Sequence, residues 1–179
     1  DYLKEMKAIK NDAEISHFKS NFQRTDNVVK KAFDVLQNSE NITELIPELK
    51  GKRILVVEDN MINREIAREL LEEEGFIIEE AEDGTIAVDM LEKHDKDYYT
   101  FVLMDIQMPI MNGYTATRKI RSSYNNNISN IPIVAMTANA FTEDRKNALD
   151  AGMNEHVAKP LDIDKLIEVL NRVYKETHK

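Results

Sequence analysis

Two short apolar runs without polar alternation limit what this chain can fold into. Ile54-Leu55-Val56-Val57 and Phe101-Val102-Leu103-Met104 read as strands buried on both faces, the habit of a parallel sheet covered by helices on each side. The first ends in Glu58-Asp59. The second ends in Asp105 and a loop, Ile106-Gln107-Met108-Pro109-Ile110-Met111-Asn112-Gly113. Open α/β sheets place their ligands at the carboxyl ends of the strands, so two buried strands deliver three carboxylates to one functional edge.

From Gly51 onward the same alternation continues. Strands are expected over 53–57, 76–81, 100–104, 132–136 and 155–158, with helical periods between them. Ile62, Ile66 and Leu70 repeat at four-residue spacing before Gly75, and Leu166, Ile167, Leu170 and Val173 mark a last helix after Pro160. Five strand-then-helix units imply right-handed crossovers and an α/β, doubly wound, five-stranded parallel sheet.

Residues 1–50 have a different texture, with 8 basic and 9 acidic residues, leaving 16 and 24 to the rest. Leu3, Met6, Ile9, Ile15, Phe18 and Phe22 recur at helical spacing, and Val28, Val29, Ala32, Phe33 and Leu36 follow a capping Thr25. Ser39 to Leu49 reads as a linker with one short turn. The expected organisation is a helical extension over 1–50, which cannot close a core alone and is a candidate end of an upstream domain, followed by one domain over 51–179.

Composition narrows the function. A net charge of −9 disfavours direct nucleic-acid binding through phosphates. The absence of cysteine excludes disulfides, thiolate metal sites and thiol nucleophiles. No apolar run is long enough to span a bilayer and no signal-peptide pattern opens the chain, so no direct membrane contact is expected.

At the strand ends stand Glu58, Asp59, Asp105, Thr137 and Lys159. Clustered carboxylates repel one another unless a cation shares their site. An all-oxygen set without His or Cys favours a hard ion, here Mg²⁺, with Mn²⁺ as a substitute. A lysine and a hydroxyl at the same edge suit phosphoryl oxygens. A carboxylate can itself be the nucleophile, forming an aspartyl phosphate, and Asp105 at the end of the middle strand is the natural candidate.

Four motifs in register then carry a family resemblance: Val57-Glu58-Asp59-Asn60, Met104-Asp105-Ile106-Gln107-Met108-Pro109 with Met111-Asn112-Gly113, Ala135-Met136-Thr137-Ala138, and Ala158-Lys159-Pro160. The segment from about Lys52 to Tyr174 resembles the receiver domain of two-component response regulators. The resemblance implies a flavodoxin-like sheet of order 2-1-3-4-5. It makes Asp105 the acceptor of a phosphoryl group from a histidine, in a domain that catalyses its own phosphorylation and dephosphorylation. Mg²⁺ would be held by Glu58, Asp59, Asp105 and the backbone carbonyl of Gln107. Thr137 would bond the phosphoryl group and Lys159, before a cis peptide to Pro160, would pair with it. Gln107 and Asn139 match positions that tune hydrolysis. Thr137 and residue 156 form the family's switch, but His156 stands where Tyr or Phe is usual, so a weaker switch is expected.

Glu58-Asp59-Asn60, Asn63 and the run Ala135 to Ala140 are similar to receivers of hybrid sensor histidine kinases. Together with a chain opening at Asp1, this suggests the carboxyl-terminal receiver of a longer kinase. That parent would be cytoplasmic or anchored to a membrane elsewhere in its length. The implied partners are a histidine kinase domain or a histidine phosphotransfer protein, with a homodimer also compatible. The competing reading is a receiver-like interaction module that signals without phosphorylation, with residues 1–36 as a dimerisation arm. His17 is a poor phosphoryl donor, because Phe18 stands where an acidic residue is wanted and Lys19 is misplaced for a phosphotransfer module.

Overall fold

The computed structural model describes residues 44–138 and 142–178. The helical reading of residues 1–36, His17 and Asn139 lie outside them. Five strands form one sheet: β1 (Arg53–Val57), β2 (Ile77–Ala81), β3 (Phe101–Asp105), β4 (Ile133–Thr137) and β5 (Glu155–Ala158). All pair in parallel in the order β2-β1-β3-β4-β5. This is the doubly wound, flavodoxin-like arrangement expected, and every strand falls within one residue of its expected range. Between the strands run α1 (Met61–Glu73), α2 (Gly84–Lys93), α3 (Gly113–Arg121), α4 (Thr142–Ala151) and, last, α5 (Ile163–Thr177). A single helical turn, Asn126–Ser129, precedes β4.

The central strands bury side chains on both faces because helices cover both. Leu55, Val57, Val102, Met104, Ile133 and Ala135 belong to one apolar layer, with Ala87, Leu91, Ala116 and Ile120 from α2 and α3. Ile54, Val56, Phe101, Leu103, Val134 and Met136 belong to the other, with Ala67 and Leu71 from α1 and Leu166 and Leu170 from α5. The period-2 projection of strand side chains thus divides each run between two cores. Edge strand β2 is charged and half-exposed instead, and Arg53 and Arg64 pair with its Glu79 and Glu80.

Helix ends are set by short polar side chains and glycine. Asn60 accepts from the backbone of Ile62 and Asn63 at 3.0 and 3.2 Å, opening α1 immediately beyond the acidic pair. Asp83, Asn112 and Asp162 cap α2, α3 and α5 in the same way. Gly75 and Gly152, at φ +96° and +98°, stop α1 and α4 in the left-handed region that side chains disfavour.

Residues 44–50, which composition groups with the linker, contribute to the core. A 3₁₀ turn at Pro47–Leu49 follows Leu45, and both Leu45 and Leu49 are buried in the layer under α1 and α5. Asn171 of α5 clasps this segment through its side-chain amide, accepting from Ile46 N at 3.2 Å and donating to Glu44 O at 2.9 Å.

Candidate functional site

Asp105 is the last residue of β3, and only 5% of its surface is exposed. Its Oδ1 accepts from the backbone N–H of Gln107 at 3.2 Å, and its Oδ2 lies 2.9 Å from Lys159 Nζ. The loop that follows turns back tightly, so that Gly113 N donates to Ile106 O at 3.0 Å. A Cβ on Gly113 would overlap the Asp105 carbonyl oxygen. The glycine therefore allows α3 to start directly against the backbone of the central carboxylate.

Glu58 and Asp59 follow β1. Glu58 is buried; its Oε1 accepts from Asn63 Nδ2 at 3.1 Å, and its Oε2 lies 2.5 Å from Lys159 Nζ. Asp59 is exposed. One carboxylate oxygen from each of Glu58, Asp59 and Asp105 lies within 4.8 Å of the other two. The set is all oxygen, two members are buried and one is open to water. Such a donor set fits a hard divalent cation that keeps part of its hydration shell.

The electrostatics follow from this crowding. Burial pushes the Asp105 carboxyl above its ordinary value, and the Glu58 charge adds to the effect against the opposing pull of Lys159. Burial works against the charge of Lys159, but its bonds to Asp105 and Glu58 outweigh that and raise its pKa. Lys159 is thus a stable ammonium bridging two carboxylates. The Lys159–Pro160 peptide that follows is cis.

Thr137 ends β4 and is buried. Together with Gln107, Asp144 and Lys159 it lines a cleft of about 280 Å³ that contains all three carboxylates. Of the residues singled out from sequence, Glu58, Asp59, Asp105, Gln107, Thr137 and Lys159 therefore meet in one cleft. His156 does not line it. His156 pairs with Ala135 across the sheet, and its Nδ1 lies 3.0 Å from Glu155 Oε1. The Oε2 of Glu155 is 2.7 Å from Arg172 of α5. Burial works to raise the Glu155 carboxyl, but the His156 hydrogen bonds and Arg172 hold it below its ordinary value.

The structure adds residues that sequence reading did not assign. Asp144 of α4 lines the cleft. Asn63 holds Glu58, and Arg64 reaches the carbonyls of both acidic residues, donating from Nη1 to Glu58 O at 2.7 Å and Asp59 O at 3.3 Å. The available signal was the i, i+3, i+4 spacing of Asn60, Asn63 and Arg64, which places them on one face of α1.

The family model of the response regulator receiver domain matches residues 54–171. "Probable histidine kinase 2" of Oryza sativa subsp. indica is 37% identical over 144 residues, covering 74% of this chain and 14% of that protein. "Hybrid signal transduction histidine kinase I" of Dictyostelium discoideum is 39% identical over 131 residues, covering 72% of this chain and 7% of that protein. The chain thus spans a small fraction of these relatives. Among solved structures, the receiver domain of a sensor histidine kinase from Pseudomonas aeruginosa PAO1, with a magnesium ion coordinated in its active-site cleft, superposes with a TM-score of 0.63 at 39% identity. That likeness covers 70% of this chain and 98% of the other. With the sheet order, the acidic cleft at the strand ends and a family match running from β1 into α5, the chain belongs to the response regulator receiver domain family.

Proposed function

We propose that this domain accepts a phosphoryl group on Asp105 from a phosphohistidine in a two-component phosphorelay, as a receiver of a hybrid histidine kinase. The observation that carries this reading is the convergence of Glu58, Asp59 and Asp105 within 4.8 Å, with Lys159 bridging two of them. An Asp105 carboxylate oxygen attacks phosphorus, the phosphorus–nitrogen bond breaks, and its electron pair returns to the imidazole nitrogen of the donor. Mg²⁺ held by Glu58, Asp59, Asp105 and the Gln107 carbonyl, with Mn²⁺ as a substitute, would offset the charge that accumulates on the phosphoryl oxygens.

The chain's own groups do the rest. Lys159 keeps its proton and pairs with a phosphoryl oxygen once Asp105 is phosphorylated. The Thr137 hydroxyl, buried on the neighbouring strand, bonds another, and His156 on the next strand, at the family's switch position, transmits that change. The donor is a histidine kinase domain or a histidine phosphotransfer protein, and the compartment is the cytoplasm. Among the described residues no helix is long and apolar enough to cross a membrane.

The test is intact mass after incubation with Mg²⁺ and acetyl phosphate. A gain of one phosphoryl group is expected, removed by a chelator and by Asp105→Asn. No gain with acetyl phosphate or with a phosphorylated histidine donor would overturn the proposal and favour a phosphorylation-independent interaction module.

A further inference from the structure

Beyond the carboxylates themselves, the geometry points to Arg64 as the positioning residue of the acidic pair: we propose that its guanidinium, bonded to the main-chain carbonyls of Glu58 and Asp59, sets the direction in which both present their carboxylates to a divalent cation. The inference rests on the cation-dependent reading above and concerns a residue that touches neither the cation nor the phosphoryl group.

Three observations carry it. Arg64 is 7% exposed although Met61 and Ile62, in the same turn of the helix, are exposed. Its bonds to the site go to backbone and not to side chains: Nη1 donates to Glu58 O at 2.7 Å and to Asp59 O at 3.3 Å. Its remaining valences are spent on β2 and the residue just beyond it, with Nε at 3.1 Å from Glu80 Oε2 and Nη2 at 3.5 Å from Glu82 Oε1.

The physical need is clear from the chain path. Past Val57 the backbone leaves the β1 ladder and has not yet entered α1, so the Glu58 and Asp59 carbonyls sit where the regular partners of strand and helix are missing. Arg64 supplies them. One residue earlier on the same helix, Asn63 holds the Glu58 side chain at 3.1 Å, and Asn60 caps the helix that carries both. The first turn of α1 thereby brackets the acidic pair from main chain and side chain. A planar fork can serve two carbonyls and a carboxylate at once, whereas a lysine ammonium presents one point charge.

The sign of the effect separates geometry from charge. Deleting a cation beside a cation-binding site should strengthen binding on Coulomb grounds alone. Loss of a residue that orients metal ligands typically weakens affinity by about 10- to 100-fold. The expected result for Arg64→Gln is a Mg²⁺ dissociation constant raised about tenfold or more, read from amide chemical shifts of residues 58–60 and 105. Phosphoryl uptake from acetyl phosphate should recover at saturating Mg²⁺. Arg64→Lys should restore part of the affinity. Glu80→Gln, which breaks the outer ion pair and spares the carbonyl bonds, should lower thermal stability and leave Mg²⁺ affinity unchanged.

Unchanged or tightened Mg²⁺ binding in Arg64→Gln would overturn the proposal, as would an equal loss of affinity in Glu80→Gln. Should Arg64→Gln fail to fold, Arg64→Lys decides by the same readout, and wild-type affinity there would equally overturn it. A wild-type chain that binds Mg²⁺ but takes no phosphoryl group would defeat the phosphoacceptor reading while leaving the Arg64 comparison decisive. A wild-type chain that binds no Mg²⁺ would overturn both.

Discussion

Glu79 shows how a charged residue can sit in the middle of an edge strand without loosening it. Tyr98 and Arg53 both donate to its Oε1 at 2.7 Å, and the Tyr99 hydroxyl donates to Oε2. Arg53 lies 4.4 Å over the Tyr98 ring, against whose π-system His94 stacks at 3.8 Å. Burial works to raise the Glu79 carboxyl, but the two tyrosines and Arg53 outweigh it and hold its pKa below the ordinary 4.5. A depressed folded pKa means the network stabilises fully above the unfolded value and fades as pH falls through the folded one. Tyr99→Phe removes one hydrogen bond to a charged group, so it should cost about 1.5–3 kcal/mol at neutral pH. The deficit relative to wild type should shrink in acid, once Glu79 is protonated in both proteins. Denaturant titrations across that range check this; a deficit independent of pH would assign the effect to packing. Nothing in local sequence pointed to the network, because Glu79 and Tyr99 lie 20 positions apart and meet only when β2 and β3 are placed on either side of β1.

At the scale of elements, the three central strands β1, β3 and β4 were legible because an apolar run of four residues, unalternated and closed by a turn, has few other uses. The carboxylates were legible with them, since a residue that stops a buried strand must emerge at its end. What could not be read was how neighbouring elements lean on the site. Gly113 opens α3 against Asp105, and an added methyl would overlap the Asp105 carbonyl oxygen and approach Met104 Cγ to 3.0 Å. Gly113→Ala should therefore destabilise the fold by about 1–3 kcal/mol, the usual range for overpacking, and reduce phosphoryl uptake at Asp105. Thermal unfolding and intact mass together check this, and a stable variant with full uptake would show that the loop can retreat. A short turn within Ser39 to Leu49 was expected, but its place in the core was hidden, because its polar neighbours resemble a linker while Leu49 is fully buried. Leu49→Ala should cost about 2–5 kcal/mol, measured by urea unfolding. A loss below 1 kcal/mol, on the order of a surface substitution, would mean that the segment is dispensable to the domain.

For the whole molecule, gathering carboxylates in one cleft costs the metal-free fold stability. The chain carries a net charge of −9, and two of the three clustered carboxylates are buried. Asp105 has its folded pKa raised, chiefly by burial. For an acid with a raised folded pKa, ionisation costs the native state: the cost is absent at low pH and complete once pH exceeds the folded value. Asp105→Asn should therefore raise the thermal midpoint of the metal-free protein at neutral pH, although under the proposed function it should also abolish phosphoryl acceptance. Mg²⁺ should reverse the order of advantage. A cation bound only by the folded chain stabilises it by mass action, about 2.7 kcal/mol at a hundredfold excess over its dissociation constant. Wild type should then gain more from Mg²⁺ than Asp105→Asn or Asp59→Asn, each of which lacks one anionic ligand. Thermal midpoints measured across a Mg²⁺ titration for the three proteins decide this. Parallel rises in all three would show that the cation acts on the general acidity of the surface, and only a rise that depends on Asp59 and Asp105 ties it to the cleft.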